Sequence, residues 1–117
     1  MDNLDNNRII AGFMGFEISP VNDKYVKHPK LDKFMELSTL HYDWSWNELM
    51  PVIDKIESLG FTVYITTSQC QIFDRRKESW PENFIIDADF EQDRLKNTYG
   101  AVLAFIEWYK LEENKTN

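Results

Sequence analysis

The hydrophobic period of the chain changes at Gly60. Before it, Leu49, Val52, Ile53, Ile56 and Leu59 recur at helical spacing; after it, Phe61, Val63 and Ile65 alternate with Thr62, Tyr64 and Thr66. A switch from period 3.6 to period 2 across one glycine requires an amphipathic helix followed directly by a half-buried strand, so neither an all-helical bundle nor an all-strand barrel fits. Ser45-Trp46-Asn47-Glu48 matches a capping box at the start of that helix, and Asp54, Lys55, Glu57 and Ser58 fall on its wet side. Pro51 is tolerable only near the helix start, because deeper inside it would remove a hydrogen bond.

The flanking segments repeat the theme. Residues 3–14 read as a helix capped by Asn3 or Asp5, with a stripe of Ile9, Ile10, Phe13 and Met14 and a stop at Gly15. Residues 16–19 and 24–27 read as short strands around the turn Pro20-Val21-Asn22-Asp23. His28-Pro29-Lys30 opens a loop, and residues 31–40 suggest a helical turn. Ser68-Gln69 turns the chain into a second strand with Cys70 and Ile72, followed by a polar loop over 75–82 and an extended piece at 84–86. Asp87 or Asp89 would cap a last helix reaching about Leu111, with Leu95, Tyr99, Val102, Ile106 and Tyr109 on one face and a frayed tail over 112–117. The resulting order α-β-β-α-β-β-α predicts an α+β fold, an antiparallel sheet of two hairpins sandwiched by helices in α/β/α layers. There is no βαβ alternation with a Gly-rich first turn, which argues against a doubly wound nucleotide fold.

At 117 residues and 43% hydrophobic composition, the chain suits one domain spanning 1–117 with a single core. Its net charge of −7 argues against binding a nucleic-acid backbone. Cys70 is the single cysteine, so neither an intrachain disulfide nor a thiolate cluster can form. The first residues lack a basic and apolar leader, and no apolar run approaches the ~20 residues of a membrane helix. These features lead to the expectation of a cytoplasmic protein without a membrane partner.

Three blocks have a further likeness. Ile10-Ala11-Gly12-Phe13-Met14-Gly15 is followed by Tyr42-Asp43-Trp44-Ser45-Trp46, Leu49-Met50-Pro51-Val52 and Lys55-Ile56-Glu57-Ser58-Leu59-Gly60; the last helix adds Tyr99, Ala101, Val102, Phe105, Ile106, Trp108 and Tyr109. Together they resemble the family called the phage ABA sandwich domain, small phage and prophage proteins in which a sheet lies between helical layers. The resemblance covers about half of the chain, with extra residues here near 28–41 and 76–90. It implies an origin in phage or prophage and an α/β/α layering, and it brings no catalytic residues to transfer.

Catalytic chemistry finds little footing. His28 and His41 lack a second ligand at helical spacing, although Asp43 lies close to His41. Cys70 on a strand reads as a small buried hydrophobe, and no nucleophile elbow or Gly-rich phosphate loop is present. Asp87, Asp89, Glu91 and Asp93 cluster where they would favour the positive end of the last helix, which explains them without a metal. No metal, cofactor or catalytic residue is therefore expected.

Three features could carry binding. Tyr42, Trp44, Ser45 and Trp46 place rings beside a helix N-terminus; they either anchor the helix or receive a planar or anionic ligand. Arg75-Arg76-Lys77 is a basic triplet that is either solvated or binds an anion. Gly100, Ala104 and Trp108 recur at i, i+4, i+8, either packed within the chain or forming a homodimer interface. The preferred reading is a non-catalytic binding module of phage accessory type that engages a host protein or sequesters a small nucleotide-like ligand as counter-defence. The alternatives are a small hydrolase or transferase acting on nucleotide-like substrates, and a purely structural oligomer.

Overall fold

The chain turns at Gly60 with φ +105, a left-handed conformation open to glycine, and its N–H closes on the Glu57 carbonyl at 3.2 Å. A computed structural model describes residues 3–31, 33–66, 69–80, 82–88 and 93–115. The helix before Gly60, α2, spans Trp46–Ser58, and the strand after it, β4, spans Phe61–Ile65. Earlier in the chain come α1 (Asn3–Phe13), β1 (Glu17–Ile18), β2 (Tyr25–Lys27), β3 (Phe34–Glu36) and a 3-10 turn at Leu37–Thr39. Later come β5 (Cys70–Asp74), β6 (Phe84–Ala88) and α3 (Arg94–Lys115).

The fold is α+β, with antiparallel strands and three helices among the described residues. The strands form two separate three-stranded sheets, in the orders β1-β2-β3 and β4-β5-β6, rather than two hairpins in one sheet. The first predicted hairpin has gained a strand, and in the second the extended piece expected at 84–86 is the third strand, β6. In the first, Val26 pairs with Met35, drawing Phe34–Glu36 into extended structure where a helical turn was expected; that turn is reduced to Leu37–Thr39. In the second, β6 runs to Ala88 and opposes Cys70.

Extension of β6 moves the start of the last helix. Asp87 lies in the strand and cannot cap; the cap is Asp93, whose Oδ1 accepts the Lys96 N–H at 2.8 Å. Asp89 and Glu91 lie outside the described residues. The helix then continues through Lys115, past the predicted end at Leu111, because residues 112–115 include the helix formers Glu112, Glu113 and Lys115. Only residues 116 and 117 of the expected frayed tail fall outside the description. At the other terminus Asp5 sits inside the first turn of α1 and pairs with Arg8 at 2.8 Å instead of capping. Gly15, at φ +92, stops α1 as predicted: Gly15 N–H reaches Gly12 O at 3.1 Å and Phe16 N–H reaches Ala11 O at 2.9 Å.

The core lies between the second sheet and the helices. Phe61, Val63 and Ile65 pair with Asp74, Ile72 and Cys70, and this face meets α2 and α3. Phe61 is fully buried, edge-on to Phe105 at 4.8 Å and Tyr109 at 6.0 Å. Burial of such a ring stabilises the fold by about 1.5–3 kcal/mol. On the opposite face Tyr64 is exposed, while Phe73 and Phe84 pair edge to face at 5.3 Å. α1 crosses α3 and is tied to the 3-10 turn by Asn7, whose amide nitrogen donates to Leu37 O and Leu40 O at 2.9 Å each.

Candidate functional site

The segment before α2 coils into a turn of its own, with Trp44 N–H and Ser45 N–H both directed at the His41 carbonyl, at 3.3 and 2.9 Å. Ser45 is the N-cap residue, yet its hydroxyl makes no capping bond. The predicted reciprocal box therefore does not form. Because Ser45 N–H is already satisfied by His41, the Glu48 carboxylate reaches further back and accepts the His41 N–H at 3.1 Å.

This turn sorts the predicted aromatic cluster. Tyr42 points inward, 5% exposed, and burial, with the Glu48 charge second, pushes its phenol up to about 12. Trp46 is half-buried against the core as the first residue of α2. These two anchor the helix. Trp44 is the ring left outside, 63% exposed, with the His41 imidazole 4.4 Å from it and tilted by 33°.

Trp44 and His41 border a cleft of about 310 Å³ whose other walls include Leu4, Asn7, Leu40 and Asp43. Asn7, 4% exposed, is its strut: both of its donor bonds fasten the chain around the 3-10 turn to α1. A second hollow of about 240 Å³ shares Leu4 and Ser38 with the first, so the two are neighbours, and it adds Lys24, Tyr25 and Glu36. There the Glu36 carboxylate accepts from Tyr25 Oη at 2.9 Å and from Ser38 Oγ at 3.1 Å. The hydrogen bond to Glu36 raises the Tyr25 phenol above its ordinary value.

The basic triplet is elsewhere. Arg75 N–H closes on Gly60 O at 3.0 Å and its guanidinium donates to Glu57 O at 2.6 Å, so it caps the C-terminal end of α2. Arg76 grips the buried Asp74 carboxylate through Nε at 2.8 Å and Nη2 at 3.0 Å, and lies 4.7 Å over the Phe61 ring. The Arg76 guanidinium holds the Asp74 carboxyl below its ordinary range. Lys77 is exposed. Between this loop and Trp44 stand the 13 residues of α2, about 20 Å of helix, so one chain does not unite rings and cations in one site.

The remaining candidates are placed as follows. Trp108 is half-buried on its own core, 5.8 Å from both Phe61 and Phe105. Ala104 is exposed, and a side-chain carbon at Gly100 would meet nothing within 4 Å. Cys70 is fully buried and its thiol is pushed up to about 11, so it is no nucleophile at neutral pH. The His28 ring accepts the Lys30 and Leu31 N–H groups through Nδ1, at 3.0 Å each, shaping its loop. Among the described residues, no three His, Cys, Asp or Glu side chains converge as metal ligands, and no helix is long and apolar enough to cross a membrane.

Asn7, Glu36 and Tyr25 escaped the sequence reading. Asn7 had a signal, since it precedes Ile10 by one turn and extends the inward stripe of α1. Glu36 and Tyr25 had none, because they meet only through the β2–β3 pairing. No family model, no curated protein and no solved structure matches the chain.

Proposed function

We propose that this chain is a non-catalytic binding module of phage accessory type that engages a host protein through the groove beside Trp44. One observation carries the reading: Trp44 presents an exposed ring at the edge of a concave surface, while Tyr42 and Trp46 on either side are turned into the core. Tryptophan is among the residue types on which protein interfaces concentrate their binding energy, and a concave surface of mixed polar and apolar walls beside it gives a partner room to cover the ring. A nucleotide is served less well, because the basic loop that would hold its phosphates stands a helix length away and its two arginines are engaged with Glu57 O and Asp74. The same division weighs against a nucleotide hydrolase or transferase.

The test is comparative retention on immobilised protein, with proteins and small molecules from host bacterial cells both identified by mass spectrometry. A protein held by the wild type and by Lys77→Ala, but lost from Trp44→Ala, is the expected result. Retention indifferent to Trp44, or material held only through the 75–77 loop, overturns the reading.

A further inference from the structure

We propose that the groove beside Trp44 receives an arginine side chain of a basic partner segment, the guanidinium stacking on the Trp44 ring between the carboxylates of Asp43 and Glu36. This deepens the reading above and rests on it. The argument is one of complementarity. The two neighbouring hollows, which share Leu4 and Ser38 as walls, carry rings from Trp44, His41 and Tyr25, and a carboxylate in each, Asp43 in one and Glu36 in the other. Lys24 is the one Lys or Arg among the described residues lining them, and the whole chain has a net charge of −7.

A guanidinium is flat, permanently charged and made only of donors, so it satisfies a surface of ring faces and acceptors at once. An ammonium shares the charge but cannot stack as a plane or bridge two acceptors at fixed angles. A nucleotide could stack its base on Trp44, but it brings acceptors of its own and a phosphate that both carboxylates would repel. A carboxylate has room for several donors, so Glu36 can accept a guanidinium N–H while keeping Tyr25 and Ser38, and Asp43 can do so beside its present contacts. The acidic surface would also steer a basic segment towards the groove and make its capture sensitive to salt.

The probes are three short peptides alike except for one central residue, Arg, Lys or citrulline, with adenosine monophosphate as a fourth. Binding is followed by calorimetry and by the Trp44 indole N–H resonance, which is assigned from Trp44→Phe. The Arg peptide should shift that resonance, bind about fivefold or more tightly than the Lys peptide and at least about tenfold more tightly than the uncharged citrulline peptide. Glu36→Gln should weaken the Arg peptide about threefold or more, while Asp54→Asn, at an exposed carboxylate of α2 that lines neither hollow, should leave it unchanged. Asp43→Asn is the parallel variant, so a folding defect in either one leaves the other to decide. Equal affinity for Arg and citrulline peptides, or no movement of the Trp44 resonance by the Arg peptide, overturns the proposal. If adenosine monophosphate moves that resonance and the Arg peptide does not, the guanidinium is wrong while the groove remains a binding site. Retention unaffected by Trp44→Ala instead removes the groove itself.

Discussion

The two ends of α2 each carry side chains of a kind that could serve a binding site, rings at one and cations at the other, and the fold uses them in opposite ways. At the C-terminal end, Arg75 donates to the Glu57 carbonyl and Arg76 clasps Asp74 while covering Phe61, so two cations are spent within the chain. At the N-terminal end, Tyr42 and Trp46 are absorbed by the core, but Trp44 rests against His41 and keeps most of its surface in water. A residue type does not announce a site. What separates the ends is how much of each side chain the fold takes up: the helix-end carbonyl and buried carboxylate at one end engage the guanidinium groups, while the groove at the other leaves most of the Trp44 ring in water.

The comparison is broken most severely at Phe61. This ring is shared by the aromatic cluster of α3 and by the guanidinium of Arg76, so its removal undercuts both the core and the clasp. Phe61→Ala should lower unfolding free energy by about 3–5 kcal/mol in a denaturant titration. Ile65→Ala, on the same face but only half-buried, should fall near the lower end of the ~2–5 kcal/mol range. A smaller loss at Phe61 than at Ile65 would mean that the end of β4 next to Gly60 is not the centre of the core.

The clasp comes next. Asp74 is 1% exposed and accepts the Arg76 backbone N–H at 3.0 Å besides the guanidinium. Asp74→Asn, which keeps the size and loses the charge, should cost roughly 2–3 kcal/mol near pH 7. Because the Arg76 hydrogen bonds hold the folded carboxyl below 3.8, its contribution is complete above that ordinary value and fades as pH falls through the folded pKa. The stability difference between wild type and Asp74→Asn should therefore stay level from neutral pH down to about 5 and shrink below about 4. A gap that persists unchanged at about pH 2 would show that the side chain acts by packing alone.

Cys70 sharpens the contrast from inside the second sheet. Fully buried, with its thiol pushed up to about 11, it should resist a disulfide reagent at pH 8 in the native state and react only as fast as the chain opens. Phe61→Ala should speed that labelling and Trp44→Ala should not. Equal acceleration by both would tie the groove to the core.

How much of this was legible in the sequence follows the reach of each interaction. Gly15, Gly60 and the helical and alternating periods are local, and α1, α2 and β4 emerged close to their predicted bounds. β3 and the end of β6 depend on partners distant in sequence, Val26 for Met35 and Cys70 for Ala88, and no period marked them. The misplaced cap of α3 followed from the missed end of β6. The capping box failed for a related reason: its pattern was present, but the turn closing on His41 had already satisfied the N–H that the box would use. For the groove, the sequence named Tyr42, Trp44, Ser45 and Trp46 together without saying which ring faces out. Nor did it show that α2 holds that cluster and 75–77 about 20 Å apart within one chain.

The smallest expected effect is at Trp44 itself, and it is the most telling about the groove. A tryptophan removed from a core costs about 3–5 kcal/mol, whereas a surface substitution away from special features usually stays within about 0.5 kcal/mol. Trp44 is 63% exposed, its N–H bond to His41 O is made by the backbone, and among the described residues its ring partner is His41. Trp44→Ala should therefore leave the denaturation midpoint and its slope nearly unchanged, while Trp46→Ala, half-buried at the start of α2, should be clearly destabilising. Fluorescence should agree. Subtracting the Trp44→Ala spectrum from that of the wild type should isolate a red-shifted component readily quenched by acrylamide, and the same subtraction for Trp108→Phe should yield a bluer, less accessible one. If Trp44→Ala instead lowers stability as Trp46→Ala does, the ring is an anchor of α2 rather than a contact surface. The two ends of the helix would then differ only in which residues hold them down.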